Sequence, residues 1–241
     1  MENDNQAVQA TLARIKQAAQ RVDRSAEEII LVAVSKQKPI EDIVTAYNAG
    51  VRHFGENSAE ELEEKALSLS HLTELNWHFI GHLQTRQSKT IAQYAHCFHA
   101  VDRVKIAERL SSHLMELERN LPLFIQINTS GEESKGGFVC NNWQNDVQQT
   151  EALLQSIKDI AALPKLQVLG LMTMAPFDAT EELLRTIFKS MAALSAYLQD
   201  KLPEIPALQL SMGMSGDFEI AIEEGATHVR IGSAIFGKRT K

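Results

Sequence analysis

Eight short runs rich in β-branched and aromatic residues alternate with amphipathic segments along this 241-residue chain, and that alternation restricts its fold more than any other feature. The runs are Ile29–Ser35, Val51–Gly55, Trp77–Gly81, Phe98–Asp102, Leu123–Thr129, Leu166–Met172, Leu208–Met212 and His228–Gly232. Helical patterns such as Arg103–Arg119, Asp146–Leu163 and Glu181–Lys201 lie between them. Gly50 and Gly225 stand where helix C-terminal glycines belong, just before the second and eighth runs. A further helical segment, with Val8, Leu12, Ile15, Ala19 and Val22 on one face, precedes the first run. A strand followed by a helix, repeated eight times in this length, predicts the α/β class: a single (β/α)8 TIM-type barrel with an extra N-terminal helix. No linker, low-complexity stretch or internal repeat divides residues 1–241, so one domain is expected. The rival is a doubly wound open sheet, but no Gly-x-Gly-x-x-Gly follows the first strand.

The formal net charge of −7 gives no overall basic field for nucleic acid or an anionic membrane. Cys97 and Cys140 are too few for a disulfide framework or a cysteine-based zinc site. The start Met1-Glu2-Asn3-Asp4-Asn5 lacks the basic and apolar regions of a signal peptide. No apolar stretch approaches the roughly 20 residues that span a bilayer. A cytoplasmic protein is expected.

In a barrel of this kind the ligand site lies at the C-terminal ends of the strands. Lys36 lies at such an end. The run Ile29-Ile30-Leu31-Val32-Ala33-Val34 is short, apolar and β-branched, as a strand buried on both faces should be. Strand alternation puts Lys36 on the side of Val32 and Val34. Partial desolvation there favours the neutral amine, which attacks carbonyls and above all the aldehyde of pyridoxal phosphate, to give a Schiff base. The plainer alternative is a lysine that reaches out from a strand end into water.

The seventh strand runs into Ser211-Met212-Gly213-Met214-Ser215-Gly216-Asp217, and the eighth into Gly232-Ser233-Ala234-Ile235-Phe236-Gly237. Phosphate commonly docks behind these two strands in barrels. Glycine admits close approach, and a hydroxyl at a helix start can share an anion with free N–H groups. Ser215, Gly232 and Ser233 have the chemistry and the placement, although each alone reads as a cap or a turn residue. Arg230, two residues before Gly232, faces the same way and would reach toward the ring end of a cofactor. There its fixed charge would disfavour protonation of a pyridine nitrogen and weaken the ring as an electron sink. Its alternative is an ion pair at the barrel mouth.

These residues resemble the pyridoxal phosphate homeostasis protein family, over nearly the whole chain. The likeness is carried by Val34-Ser35-Lys36, Phe54-Gly55-Glu56-Asn57, Trp77-His78-Phe79-Ile80-Gly81 with Leu83-Gln84, Gln126-Ile127-Asn128, Ser134-Lys135, Gly170-Leu171-Met172, Ser211-Met212-Gly213-Met214-Ser215 and Val229-Arg230-Ile231-Gly232. The resemblance implies a barrel of the alanine racemase N-terminal type that holds pyridoxal 5'-phosphate as an internal aldimine on Lys36. It also implies that Ser215, Gly232 and Ser233 hold the phosphate, that Arg230 faces the pyridine nitrogen, and that Asn57 lines the ring. On sequence alone Asn57 is equally an N-cap for a helix over Ser58–Leu69. After Leu83-Gln84 the family usually continues with an Asn-Lys pair, whereas this chain reads Thr85-Arg86-Gln87-Ser88-Lys89.

His78 and His82, flanking the end of the third strand, are candidate proton carriers, or else packed or capping groups. Lys135-Gly136-Gly137 reads as a solvated turn, with an anion site as the alternative. Glu60-Glu61, Glu63-Glu64 and Glu132-Glu133 read as solvated acidic faces, and Met172, Met174, Met212 and Met214 as packing of the barrel top. A racemase of the related fold needs acid/base groups on both faces of the cofactor, the second, by resemblance, a tyrosine from a further C-terminal domain. Only Lys238-Arg239-Thr240-Lys241 follow Gly237, and Tyr47, Tyr94 and Tyr197 all lie in helical patterns. The expectation is therefore a monomeric protein that buffers the cofactor or delivers it to apo forms of the enzymes that use it, rather than an amino-acid enzyme. The alternatives are a stand-alone racemase-like enzyme using His78 or His82, and a Schiff-base aldolase acting on a sugar phosphate.

Overall fold

This computed structural model describes residues 2–131 and 136–237, with side chains from residue 5 onward. The strands are β1 (Ile30–Val34), β2 (His53–Glu56), β3 (Asn76–Phe79), β4 (Cys97–Val101), β5 (Leu121–Asn128), β6 (Phe138–Val139), β7 (Leu166–Met172), β8 (Gln209–Ser211) and β9 (His228–Ile231). The helices are α1 (Glu2–Gln20), α2 (Ile40–Asn48), α3 (Ala59–Ser68), α4 (Ser88–Tyr94), α5 (Val104–Glu116), α6 (Val147–Ala161), α7 (Glu181–Lys201), α8 (Phe218–Glu223) and α9 (Ser233–Phe236). All strand pairings are parallel, and they close on themselves, because β1 pairs with both β2 and β9 while β4 pairs with β5. The result is an eight-stranded barrel; the two-residue β6, absent from the sequence reading, adds to β5 outside the ring.

Alternate strand residues serve two environments. Phe54, Phe79 and Phe98 are fully buried, with Phe79 and Phe98 in ring contact at 5.6 Å and Phe54 against Trp77 at 6.2 Å. The inward residues of β2, β3, β4 and β9 are of another kind: His53, His78, His99 and His228 meet one another across the barrel, with His78 and His228 ring centroids 6.4 Å apart.

The predicted helix Glu181–Lys201 matches α7 end to end, capped by the Thr180 hydroxyl, and Asp146 caps α6. Gly50 and Gly225 close α2 and α8 at φ of 103° and 102°, a backbone only glycine adopts without strain. Strands β1, β3, β4, β5, β8 and β9 end one or two residues earlier than read and β2 one residue later; at β1, β3 and β9 the final residues turn into the loops of the cavity described below. The extra helix α1 packs along α8 and α9, burying Val8, Ile15, Ala18 and Ala19. Arg14 pairs with Glu219 and Arg21 with Glu223, while Arg24 donates to the carbonyls of Ile222 and Ala226. No helix among the described residues is long and apolar enough to cross a membrane.

Candidate functional site

A cavity of about 1060 Å³ opens at the C-terminal ends of the barrel strands, large enough for a cofactor-sized ligand. Lys36, Asn57, Ser215, Arg230, Gly232 and Ser233, which stand far apart in sequence, all line it.

Lys36 is half-buried beside Val34, between two anchored neighbours. On its N-terminal side Ser35 is fully buried; its N–H donates to Gly55 O at 3.0 Å and its hydroxyl to Glu56 Oε1 at 2.6 Å. On the other side Gln37 takes a left-handed φ of 59°, unusual for a residue with a side chain, and donates its N–H to Glu61 Oε1 at 2.6 Å. Lys65 ties both anchors together: its ammonium donates to Ser35 O (2.8 Å), Glu56 Oε1 (2.8 Å) and Glu61 Oε1 (2.6 Å). The Glu56 side chain is 0% exposed and that of Lys65 6%. Burial raises the Glu56 carboxyl above its usual range, with Lys65 opposing, and Glu56 Oε2 is buried without a hydrogen-bond partner. The backbone that presents Lys36 is thus fixed from below by an ion-pair network. By pattern Glu61 belongs to a solvated acidic face; the buried lysine one helical turn along α3 draws it inward.

Asn57 follows β2 and is exposed toward the cavity. It is not a helix cap: the N-cap of α3 is Ser58, whose hydroxyl accepts from Glu61 N at 3.3 Å. A Cβ on Gly81 would fall 2.2 Å from Asn57 O, so the exits of β2 and β3 meet there only because residue 81 is glycine.

On the opposite wall, Ser215 does not cap its own helix α8, whose N-cap position is Asp217. Its hydroxyl turns instead to the start of α9, accepting from Gly232 N at 3.2 Å and Ala234 N at 3.5 Å. A Cβ on Gly232 would lie 3.2 Å from Val34 O, so this turn and the β1 strand that leads to Lys36 are in close register. Ser233 is exposed at the same turn. Hydroxyls and backbone N–H groups together make this wall suited to an oxyanion.

Arg230 forms the cavity floor, 5% exposed. Its guanidinium donates to Ser211 Oγ at 2.6 Å and Thr173 O at 2.8 Å, not to a carboxylate at the mouth. Burial lowers it to about 10, with nearby Asp217 opposing, so it stays charged at neutral pH.

Of the weaker candidates, His82 lines the cavity and its Nδ1 lies 2.9 Å from Asp102 Oδ2. His78 is buried within the barrel, hydrogen-bonded on both ring nitrogens. Met172 and Met212 are buried as expected, whereas Met174 is 43% exposed at the rim and Met214 half-buried in the cavity wall. Tyr47, Tyr94 and Tyr197 lie on α2, α4 and α7. The Thr85–Gln87 segment is a short 3-10 turn leading into α4. The proposed turn at Lys135, the Ser134-Lys135 motif and the Glu132-Glu133 pair lie outside the described residues, as do Lys238–Lys241. Ser35, Glu56, Lys65 and Ser211 are site residues that the sequence reading does not single out; for Ser35, Glu56 and Ser211 the available signal is their place at the ends of the first, second and seventh strands, whereas Lys65 lies within α3.

The sequence matches the family described as alanine racemase, N-terminal domain, over residues 6–240. The pyridoxal phosphate homeostasis protein of Vibrio alginolyticus is 38% identical over 246 residues, covering 99% of this chain and 99% of the relative. The protein of that name from Escherichia coli K12 is 40% identical over 228 residues, covering 94% and 92%. PipY of Synechococcus elongatus, solved without PLP, superimposes with a TM-score of 0.82 at 32% identity, over 94% of this chain and 99% of PipY. Its PLP-bound form gives 0.79 at 32% identity, over 93% and 100%. The alanine racemase of Clostridium difficile shares the fold, with a TM-score of 0.70 at 14% identity over 98% of this chain and 58% of the racemase. The barrel, the motifs that line its mouth and this full-length similarity place the chain in the pyridoxal phosphate homeostasis protein family, a branch of the alanine racemase N-terminal domain family.

Proposed function

We propose that this chain binds pyridoxal 5'-phosphate in the cavity and acts in the homeostasis of that cofactor, buffering it or delivering it to enzymes that use it. The observation that carries the reading is convergence: an amine, a buried guanidinium and a hydroxyl-and-amide wall line one cavity of cofactor size. The names of the relatives and the PLP-bound form of PipY support it. Bound there, the cofactor supplies an aldehyde that combines reversibly with amines.

The residues fit such a group. Lys36 would hold its aldehyde end, Arg230 its pyridine nitrogen, Ser215 with Gly232 and Ser233 its phosphate, and Asn57 the ring. Arg230 keeps a fixed positive charge at the floor, which opposes a second positive charge on a ring nitrogen beside it and so weakens electron withdrawal. The relatives are named homeostasis proteins rather than enzymes. His82, the histidine among the described residues that line the cavity, is bonded through Nδ1 to Asp102, which also pairs with Arg103. In this reading the chain works as one barrel domain, as a monomer in the cytoplasm, and its partners are apo forms of cofactor-using enzymes.

The test is transfer. Protein loaded with pyridoxal phosphate and freed of excess should reactivate an apo-enzyme while showing no stereochemical turnover of L- or D-alanine beyond free cofactor. Failure to retain the cofactor, or racemisation many decades faster than free cofactor, would overturn the proposal.

A further inference from the structure

The barrel interior beneath the cavity is filled by a connected row of polar side chains that the proposed function does not use. His53 Nδ1 lies 2.8 Å from His78 Nε2, and His78 Nδ1 lies 2.7 Å from His99 Nε2. His99 Nδ1 lies 2.8 Å from Ser211 Oγ, which also accepts from Arg230 Nη1 at 2.6 Å. The row crosses from the start of β2, through β3 and β4, to β8 and β9. His78, His99, Ser211 and Arg230 are all buried, and His53 is half-buried at the far end.

Satisfying every group fixes the direction of the row. Arg230 can only donate. Ser211 is 0% exposed, and its partners among the described residues are Arg230 and His99. If Ser211 accepted from both, its own proton would be buried without an acceptor. It therefore donates to His99 Nδ1, which puts the His99 proton on Nε2. His99 then donates to His78 Nδ1, and His78, carrying its proton on Nε2, donates to His53 Nδ1. His78 and His99 each give one bond and take one, and His53 takes one at Nδ1, so the row is satisfied only when all three rings are neutral and carry the proton on Nε2. Burial holds His78 and His99 well below the ordinary histidine value, as this requires.

We infer that His53, His78, His99 and Ser211 form a one-way hydrogen-bond relay through the barrel that positions Arg230 on the cavity floor. The relay holds rather than conducts: its last member is a guanidinium that does not give up its proton at neutral pH, so no proton can be passed on into the cavity. Cys97 lies within 4.8 Å of His78 and His99 as a third ligand type, but both ring nitrogens of His78 and both of His99 are already engaged in the row, so the row does not double as a metal centre. A row of polarised neutral donors and acceptors holds the buried guanidinium by a hydrogen bond to a neutral hydroxyl, while the nearby buried Asp217 offsets part of its charge. The relay itself is independent of the ligand; that Arg230 meets a pyridine nitrogen rests on the cofactor reading.

The experiment is nitrogen-15 NMR of histidine-labelled protein at pH 7 with no ligand added, the rings assigned by His53→Phe, His78→Phe and His99→Phe. His53, His78 and His99 should all be neutral with the proton on Nε2. A proton on Nδ1 of His78 or His99, or a charged ring at either, would overturn the relay. The positioning role is read from pyridoxal phosphate titration of Ser211→Ala and Ser211→Thr. Loss of one hydrogen bond to the charged group should weaken binding about tenfold in the alanine variant, with recovery in the threonine variant. Unchanged affinity in folded Ser211→Ala would overturn positioning. If wild-type protein binds no pyridoxal phosphate, the cofactor reading fails while the tautomers still decide the relay.

Discussion

Removing the Lys65 ammonium should destabilise the protein more than any other single truncation around the site. In Lys65→Met the side chain keeps most of its volume and apolar contact, so the change isolates the charge and its three hydrogen bonds, to Ser35 O, Glu56 and Glu61. Glu61 is partly exposed and can turn to water, but Glu56 is 0% exposed. Its carboxylate would be left with the Ser35 hydroxyl alone, because Oε2 already has no partner. Breaking a buried pair from one side typically costs about 3–5 kcal/mol, a large share of the roughly 5–15 kcal/mol that holds a domain folded. With a urea slope of about 3 kcal/mol per molar, the unfolding midpoint should fall by at least about 1 M. The deficit should depend on pH with a definite sign. Without Lys65, the Glu56 value in the folded state rises further above its unfolded value of about 4.3, so the penalty is absent below that value and grows as pH rises through the folded one. The difference between variant and wild type should therefore shrink from pH 7 to pH 5. Glu56→Gln in the Lys65→Met background should restore most of the loss, since no buried charge then remains. A cost under about 1 kcal/mol, independent of pH and additive with Glu56→Gln, would refute the reasoning and show that water reaches the pair.

Further outcomes are expected. Ser215→Ala should weaken pyridoxal phosphate binding by about one to two decades, from a charge-assisted hydrogen bond of roughly 1.5–3 kcal/mol, and pyridoxal lacking phosphate should bind wild type far less tightly; equal affinities for the two ligands would remove the phosphate wall. Folding stability should fall on acidification below about pH 6.5, because buried His78, His99 and His228, the last lowered to about 3, stay neutral when folded but take up protons when unfolded. Each adds about 1.4 kcal/mol per pH unit in that window, and a flat profile from pH 7 to 5 by calorimetry would contradict their burial. His82→Gln should leave any slow reaction of the loaded protein with amino acids unchanged, measured by loss of the α-hydrogen, since General acid/base help of about 100- to 10,000-fold would show if His82 supplied it.

The fold was legible because periodicity changes cleanly between two and 3.6 along the chain, and because Gly50, Gly225, Asp146 and Thr180 punctuate it with local chemistry that needs no tertiary information. The cavity wall was legible for a similar reason. In a barrel, strand ends converge by topology, so Lys36, Asn57, Ser215, Arg230 and the Gly232-Ser233 turn could be placed together before any distance was known. What escaped was the environment of side chains within and beneath the wall. Glu61 belongs by pattern to an acidic helical face, and only the burial of Lys65 turns it inward. Asn57 and Ser58 are equally good caps in sequence, and the choice between them depends on how β2 approaches Gly81. The histidine row had a visible trace, one histidine in each of three consecutive strands, His53, His78 and His99. Register decides whether such residues meet inside the barrel, and no local pattern specifies register between strands some twenty residues apart.

The central claim is that Lys36 is the amine presented to the cofactor. Incubation with pyridoxal phosphate, reduction with borohydride and peptide mapping tests it most directly. The account predicts a single modified lysine at Lys36, and loss of both the visible absorption band and the trapped adduct in Lys36→Ala, with the unfolding transition retained because the side chain lies at the cavity and not in the packed core. An adduct on Lys38 or Lys65, or a visible band that survives in Lys36→Ala, would contradict it.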